Sequence, residues 1–282
     1  TSKVPFDIED VNHLAQSIGL TMEARDYQKK AVAHAISNKR SVLLSPTASG
    51  KSLIIYMLAR YYPARKLVIV PTTGLVHQMA SDFAEYGYTD ECHKITAGAS
   101  KEIESEITIS TWQSIYKLPK DWFSQFQVVI GDEAHLFKAK SLTTIMSKLV
   151  VCPYKFGFTG TLDDSNTHKL VLEGLFGPVE SVIKTAELIK QKYLAELKIN
   201  ICVLEHTLKN RSEQVRATYR DEINFIVGNR QRNEFLLKLC SELEGNTLLL
   251  FGLVEKHGKV LHEMASKLDR RVFFVHGGVP GQ

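Results

Sequence analysis

Short apolar runs alternate along the chain with stretches whose apolar residues recur every three or four positions. The runs at 41–45, 67–70, 107–111, 128–131 and 155–159 each have the length of a buried strand. Helical spacing fills the intervals between them, at 27–37, 52–61 and 75–86. Strands separated by helices predict βαβ units, and so a parallel α/β sheet with helices on both faces. This series runs to about Ile189.

A second set of elements opens near 197–204. It continues through a polar helical stretch at about 212–243 to strands at 247–251 and 271–275, with a helix at 255–268 between them. This reads as the start of another α/β domain in which two or three strands are present. The domains are therefore placed at 1–195 and 196–282, the second one incomplete. Its last residues, 276–282, are loop-like, and a sheet this short leaves an open edge.

Composition narrows the class. A chain of 282 residues holds one large domain or two ordinary ones. The hydrophobic fraction of 44% and charged fraction of 23% are those of a soluble globular protein. No apolar run approaches the ~20 residues that cross a bilayer, and no signal-peptide pattern opens the chain. Cys92, Cys152, Cys202 and Cys240 are scattered without metal or redox spacing, which suits reduced thiols in a cytoplasm. The net charge of +4 permits nucleic-acid binding without establishing it.

The segment Ser45-Pro-Thr-Ala-Ser-Gly-Lys-Ser52 follows one predicted strand and precedes a predicted helix. That context is what a phosphate-binding loop requires. Gly50 allows the tight turn that, after Pro46, points successive N–H groups of Thr47, Ala48, Ser49 and their neighbours at phosphate oxygens. The helix beginning near Lys51 adds the positive end of its dipole. Lys51 can reach the β- and γ-phosphates, and the Ser52 hydroxyl can ligate Mg²⁺. The strict pattern opens with Gly, whereas this chain has Ser45.

Far downstream, Asp132-Glu-Ala-His135 stands at the C-terminal end of the strand predicted at 128–131. Ligands of parallel α/β sheets bind at that end. Asp132 is expected to hold Mg²⁺ and Glu133 to orient and deprotonate an attacking water. His135 is expected to link the nucleotide site to the other domain.

Taken in order, these motifs resemble the core of superfamily 2 helicases, and in particular the UvsW-type branched-DNA helicases of T-even-like bacteriophages. The resemblance covers nearly the whole chain from about Ala24, and segments 119–126, 155–158 and 196–200 carry much of it. It implies a RecA-like P-loop fold and a partial second RecA-like domain. Arg25-Asp-Tyr-Gln28 resembles the adenine-reading motif, with Arg25 and Gln28 at the base. Val70–Gln78 resembles a loop that touches the DNA backbone, through Thr72, Thr73, Gly74 and Gln78. Gly98 and Thr111 fall in two further backbone-contact motifs, while Trp112 reads at least as well as core. Thr159-Gly160-Thr161 resembles the motif that couples hydrolysis to strand movement. Phe251 and Gly252, and then 274–278, resemble strand–loop motifs of the second motor domain.

The resemblance implies an ATP hydrolase, using ATP and Mg²⁺, that moves along or remodels branched DNA (forks, Holliday junctions, R-loops). It is expected to be monomeric, independent of membranes, and at work in the cytoplasm of a host bacterium. Family members also carry a small N-terminal DNA-binding domain and two later motifs with an arginine finger, which this sequence does not contain. Such an arginine is worth orders of magnitude in rate, so this stretch is expected to bind ATP and hydrolyse it poorly. The rival readings are an RNA or RNA–DNA helicase, a small-molecule kinase built on the same loop, and a nucleotide-binding scaffold without motor activity.

Overall fold

The computed structural model describes residues 6–162, 166–205 and 218–277. The chain divides into two compact units, Thr1–Leu197 and Lys198–Gln282. In the first unit, α1 (Ile8–Ser17) is capped by Asp7, whose carboxylate accepts from the backbone N–H of Glu9 and Asp10, while Asp10 reaches back to the Asp7 N–H. There follow α2 (Asp26–Asn38), β1 (Arg40–Leu44), α3 (Lys51–Tyr61), β2 (Lys66–Val70), α4 (Thr73–Glu85), β3 (His93–Ile95) and β4 (Ile107–Thr111). Two short helices, α5 (Trp112–Ile115) and α6 (Lys120–Phe123), lead to β5 (Val128–Gly131) and a 3₁₀ turn, Ala134–Lys138. The unit closes with α7 (Lys140–Lys148), β6 (Tyr154–Thr159), α8 (Asn166–Leu175), β7 (Val179–Ser181) and α9 (Thr185–Lys190).

Among the described residues the strands form one seven-stranded sheet, ordered β3-β4-β2-β5-β6-β1-β7, and every pairing is parallel. Successive side chains point to opposite faces, and the two cores follow from that alternation. Leu43, Val68, Val70, Val128 and Ile130 pack with α1 to α4 on one face. Val42, Leu67, Ile69 and Val129 pack on the other against α7, α8 and the segment 115–137. Residues Leu53 to Ala59 of α3 are all buried, which makes α3 the central helix of its layer. The expected RecA-like parallel fold is thus present.

In the first unit the strand and helix positions expected from the sequence agree to within one or two residues, but β3 and β7 are additional. Both are three-residue edge strands with polar residues (His93 and Lys94; Glu180 and Ser181), so neither shows as an apolar run. In the second unit, α10 (Tyr219–Gly228) and α11 (Arg230–Glu242) replace the single polar stretch expected there. They break at Asn229, whose side chain caps α11 by accepting from Arg232 N–H at 2.9 Å. A π-type turn, Val254–Gly258, runs into α12 (Lys259–Ala265). The strands expected at 197–204, 247–251 and 271–275 do not form. Phe251 stacks on Phe274 at 5.4 Å, so these segments meet through side chains without a ladder. Leu248, Leu250, Phe273 and Val275 are left exposed, and an isolated two-strand pairing is marginal in water. Residues 212–217 and Gly278, which the sequence reading included, lie outside the described residues.

Gly131 at the end of β5 is paired across the sheet with Gly157 of β6. A Cβ on Gly131 would lie 2.6 Å from Cζ of the buried Phe137 ring. Gly131→Ala is expected to cost about 1–3 kcal/mol of stability through overpacking, read from the denaturant midpoint. An unchanged midpoint would mean that Phe137 turns aside without cost.

Candidate active site

The loop between β1 and α3 is built around its own hydroxyls. Ser45 Oγ and Ser49 Oγ lie 2.6 Å apart, Ser49 Oγ donates to Pro46 O at 2.6 Å, and Ser45 N–H donates to Thr159 O at 2.8 Å. Ser45 is fully buried, so the residue standing where the strict pattern has Gly works as an internal brace. Ala48 and Gly50 take left-handed backbone, with φ of 64° and 73°. For Ala48 that costs free energy, and such strain persists where surrounding structure enforces it. A Cβ on Gly50 would stand 2.4 Å from Gln28 Nε2, so a larger residue would displace the Gln28 amide as well as strain the left-handed backbone.

Gln28 is 3% exposed and is spent on the loop. Its Nε2 donates to Ser49 O at 3.0 Å, and its Oε1 accepts from the Arg25 N–H at 2.8 Å. Tyr27 Oη also donates to Ser49 O, at 2.9 Å, and Arg25 Nη1 donates to Tyr27 Oη at 2.7 Å. The Arg25 guanidinium lies 3.9 Å from the Tyr193 ring centroid, a cation–π contact. Arg25, Tyr27, Lys30, Glu187 and Tyr193 line a polar cleft beside the loop. Gln28, expected to read the base, has both ends of its amide engaged by backbone, and Arg25, Tyr27 and Tyr193 are among the groups that line the cleft. Tyr27 stands within the motif that drew attention to Gln28, whereas Tyr193 carries no motif.

Across the sheet, Lys51 Nζ lies 2.9 Å from Glu133 Oε1 and 3.7 Å from Asp132 Oδ1. Asp132 is fixed by its N–H to Ile69 O at 2.9 Å. Glu133 has φ 49°, a left-handed conformation that opens the 3₁₀ turn and directs its side chain back toward Lys51. His135 Nδ1 lies 3.4 Å from Glu133 Oε2 and 3.0 Å from Thr159 Oγ1, and Thr159 Oγ1 donates to Thr161 O at 2.8 Å. Gly160 faces the phosphate loop, where its Cβ would be 3.7 Å from Ser45 O. A continuous polar chain therefore runs Lys51–Glu133–His135–Thr159–Thr161. The Ser52 hydroxyl is 2.7 Å from Tyr86 Oη and engages α4 in place of this cluster.

Thr72, Thr73, Gly74 and Gln78 are exposed at the start of α4, with Thr72 Oγ1 accepting from Leu75 N–H at 3.3 Å. Gly98 is exposed after β3, with φ 81°. Thr111 is 5% exposed and its hydroxyl lies 2.9 Å from Ser114 Oγ, so it faces its own helix N-terminus rather than solvent. Trp112 packs against the second core.

A lysine and two carboxylates, one of them the buried Asp132, meet beside a strained loop at the strand C-termini and define the class: a P-loop nucleotide-binding domain. A family profile described as type III restriction enzyme, res subunit, matches residues 21–164, and the chain belongs to that family. It is 36% identical over 271 residues to the ATP-dependent DNA helicase uvsW of Enterobacteria phage T4, covering 92% of this chain and 54% of that protein. It is 29% identical over 203 residues to the DNA 3'-5' translocase XPB2 of Sulfurisphaera tokodaii, covering 71% of this chain and 45% of that protein. The crystal structure of T4 UvsW superposes with a TM-score of 0.58 at 33% identity, over 95% of this chain and 56% of that one. The chain thus spans about half the length of these relatives. No helix among the described residues is long and apolar enough to cross a membrane.

Burial pushes the Asp132 carboxyl above its ordinary value of 3.8, with Glu133 adding to the rise and Lys51 opposing it. Asp132 thus binds its proton more tightly folded than unfolded, and stability falls as pH rises above the ordinary carboxylate value. Asp132→Asn is expected to raise Tm at neutral pH, because it removes the cost of a buried charge. The gain shrinks as pH falls into the carboxylate range, where the parent carboxyl takes up its proton. Calorimetry across that range checks this, and a loss, or a gain independent of pH, would overturn it.

Proposed function

We propose that this chain carries the ATP-hydrolysing part of a DNA helicase or translocase that remodels branched DNA. The observation that carries the reading is the meeting of Lys51 with Asp132 and Glu133, residues some eighty positions apart in sequence, beside the loop at the end of β1. The phage and archaeal relatives, named as a DNA helicase and a DNA translocase, support the DNA substrate. The second unit is read as the opening of a second RecA-like domain, with the boundary near 195, and the match to T4 UvsW across 95% of the chain supports this. RNA–DNA hybrids, a monomeric state and action in a host cytoplasm belong to the same proposal.

The residues suit a Mg²⁺–nucleotide. Asp132 Oδ1 is buried without a hydrogen-bond partner, so a ligand there would complete it. Ser52 and Asp132 are the residues that would hold the cation. Bound Mg²⁺ would neutralise charge on the β- and γ-phosphates. The loop N–H groups and Lys51 stabilise charge that builds on the transferred phosphoryl group. Lys51 must leave Glu133 to do this, which frees the carboxylate to accept a proton from the attacking water. His135 and Thr159 then sense the change at Glu133 through their hydrogen bond. Arg25, with Tyr27 and Tyr193, offers planar surfaces for the base. The exposed Thr72–Gly74 and Gly98 positions suit backbone contact without sequence reading.

Glu133→Gln is expected to keep nucleotide binding while hydrolysis falls about 10²–10⁴-fold, and Lys51→Ala to weaken binding itself. Hydrolysis by the full protein should rise with forked or junction DNA, and the stimulation should fall steeply with salt. Stimulation by small phosphate acceptors in place of DNA would establish the kinase reading. Remodelling that survives Lys51→Ala would end the motor reading.

A further inference from the structure

Ser52 is the second residue of α3, and its hydroxyl has a partner that no part of the nucleotide machinery requires. Tyr86 Oη lies 2.7 Å from Ser52 Oγ. Tyr86 is 8% exposed, its ring packs on Tyr56 at a centroid distance of 5.6 Å, and its backbone is tied at both ends. The Tyr86 N–H donates to Asp82 O at 2.9 Å and the Tyr86 C=O accepts from Thr21 N–H at 3.3 Å. Burial pushes up the carboxyl of Asp82, one turn earlier on α4, and the nearby Ser52 hydroxyl opposes that rise. The Tyr86 oxygen is thus held at the C-terminal end of α4 by ring packing and two backbone hydrogen bonds, with the Asp82 carboxylate near it.

A hydroxyl that ligates a cation gives it a lone pair, and its proton then needs an acceptor elsewhere. The loop around Ser52 supplies mainly N–H donors, which cannot take that proton. Tyr86 Oη and the Asp82 carboxylate can. Outer partners of this kind fix a ligand's orientation and raise its basicity, and their loss costs about 10–100-fold in metal affinity.

We infer that Tyr86, backed by Asp82, is a positioning residue for the Mg²⁺-ligating hydroxyl of Ser52, so that α4 sets the metal affinity of the nucleotide site. The inference rests on the reading of Ser52 as a metal ligand. It concerns residues outside the phosphate loop and the acidic box, in a helix whose other end holds Thr72 and Thr73.

The test measures binding of a fluorescent ADP analogue to the full protein with and without Mg²⁺, for the parent, Ser52→Ala, Tyr86→Phe and the double variant. Tyr86→Phe keeps the buried ring and removes only the hydroxyl. It should leave Mg²⁺-free binding unchanged and reduce the Mg²⁺-dependent gain about 10–100-fold. The double variant should lose no more than Ser52→Ala alone, because Tyr86 acts through Ser52. Asp82→Asn should move the gain in the same direction. If Ser52→Ala removes the gain but Tyr86→Phe does not, the role of Tyr86 is overturned and Ser52 stands as a ligand. If Ser52→Ala leaves the gain intact, both readings fall. Additive losses, or equal losses without Mg²⁺, would make Tyr86 a structural residue only and overturn the inference.

Discussion

The in-register parallel alignment of β1, β6 and β5 is the constraint on which everything else in the first unit depends. Leu44 pairs with Thr159, and Gly131 with Gly157, so three strands that are distant in sequence end at the same edge. Parallel neighbours need crossover connections, which is why groups so remote along the chain come within ion-pair distance. Lys51 leaves β1, Asp132 and Glu133 leave β5, and Thr159 closes β6 between them. A slip of one residue in β5 would turn Val128 and Ile130 out of one core and Val129 out of the other. Core packing on both faces therefore fixes the site's register, and the catalytic geometry is a consequence of apolar burial.

The same edge stores unfavourable features that the surrounding structure sustains. Ala48 and Glu133 take left-handed backbone although neither is glycine, and Asp132 is buried beside a second carboxylate. Each is costly alone. Phe137 and Phe176 pack edge to face at 5.1 Å beneath Gly131 and Gly157, holding the 3₁₀ turn that carries Glu133. Gln28 and Tyr27 hold the loop from the other side through Ser49. Strain at the site and over-determination around it are two aspects of one arrangement, since a preformed anion cradle needs N–H groups fixed before a ligand arrives.

Where the chemistry requires particular residue types beside a strand, the sequence was readable. Ser45–Ser52 and Asp132–His135 stand out because a phosphate cradle and a carboxylate pair each demand a fixed order next to an apolar run, and the structure brings Lys51 beside Asp132 and Glu133. The central strands were found because burial on both faces makes them apolar throughout. The edge strands β3 and β7 were not, since exposure lets them be polar. Apolar character is also insufficient: 247–251 and 271–275 have it, yet form no ladder, because a strand exists only where a neighbour completes its hydrogen bonds. The hardest thing to read was partner choice. That Gln28 serves Ser49, that Thr111 serves Ser114 and that Ser52 meets Tyr86 depends on how helices pack across the sheet, which local pattern does not encode.

Sheet order then gives the site a direction. β5, β6 and β1 lead into the nucleotide groups, whereas β3, β4 and β2 lead into Gly98, Thr111 and Thr72–Gly74. The two sets occupy adjacent halves of one edge. α4 begins in the second half with exposed residues and ends at Tyr86 against Ser52 in the first. Thirteen helical residues form a rod of ~20 Å. The helix therefore joins the exposed Thr72–Gly74 positions to the surroundings of the Ser52 hydroxyl. The polar chain from Glu133 through His135 to Thr161 takes a different route, past the C-terminal end of β6. Two connections of unlike chemistry, one a packed helix and one a hydrogen-bond relay, thus diverge from a single pair of residues, Lys51 and Ser52, at the start of α3.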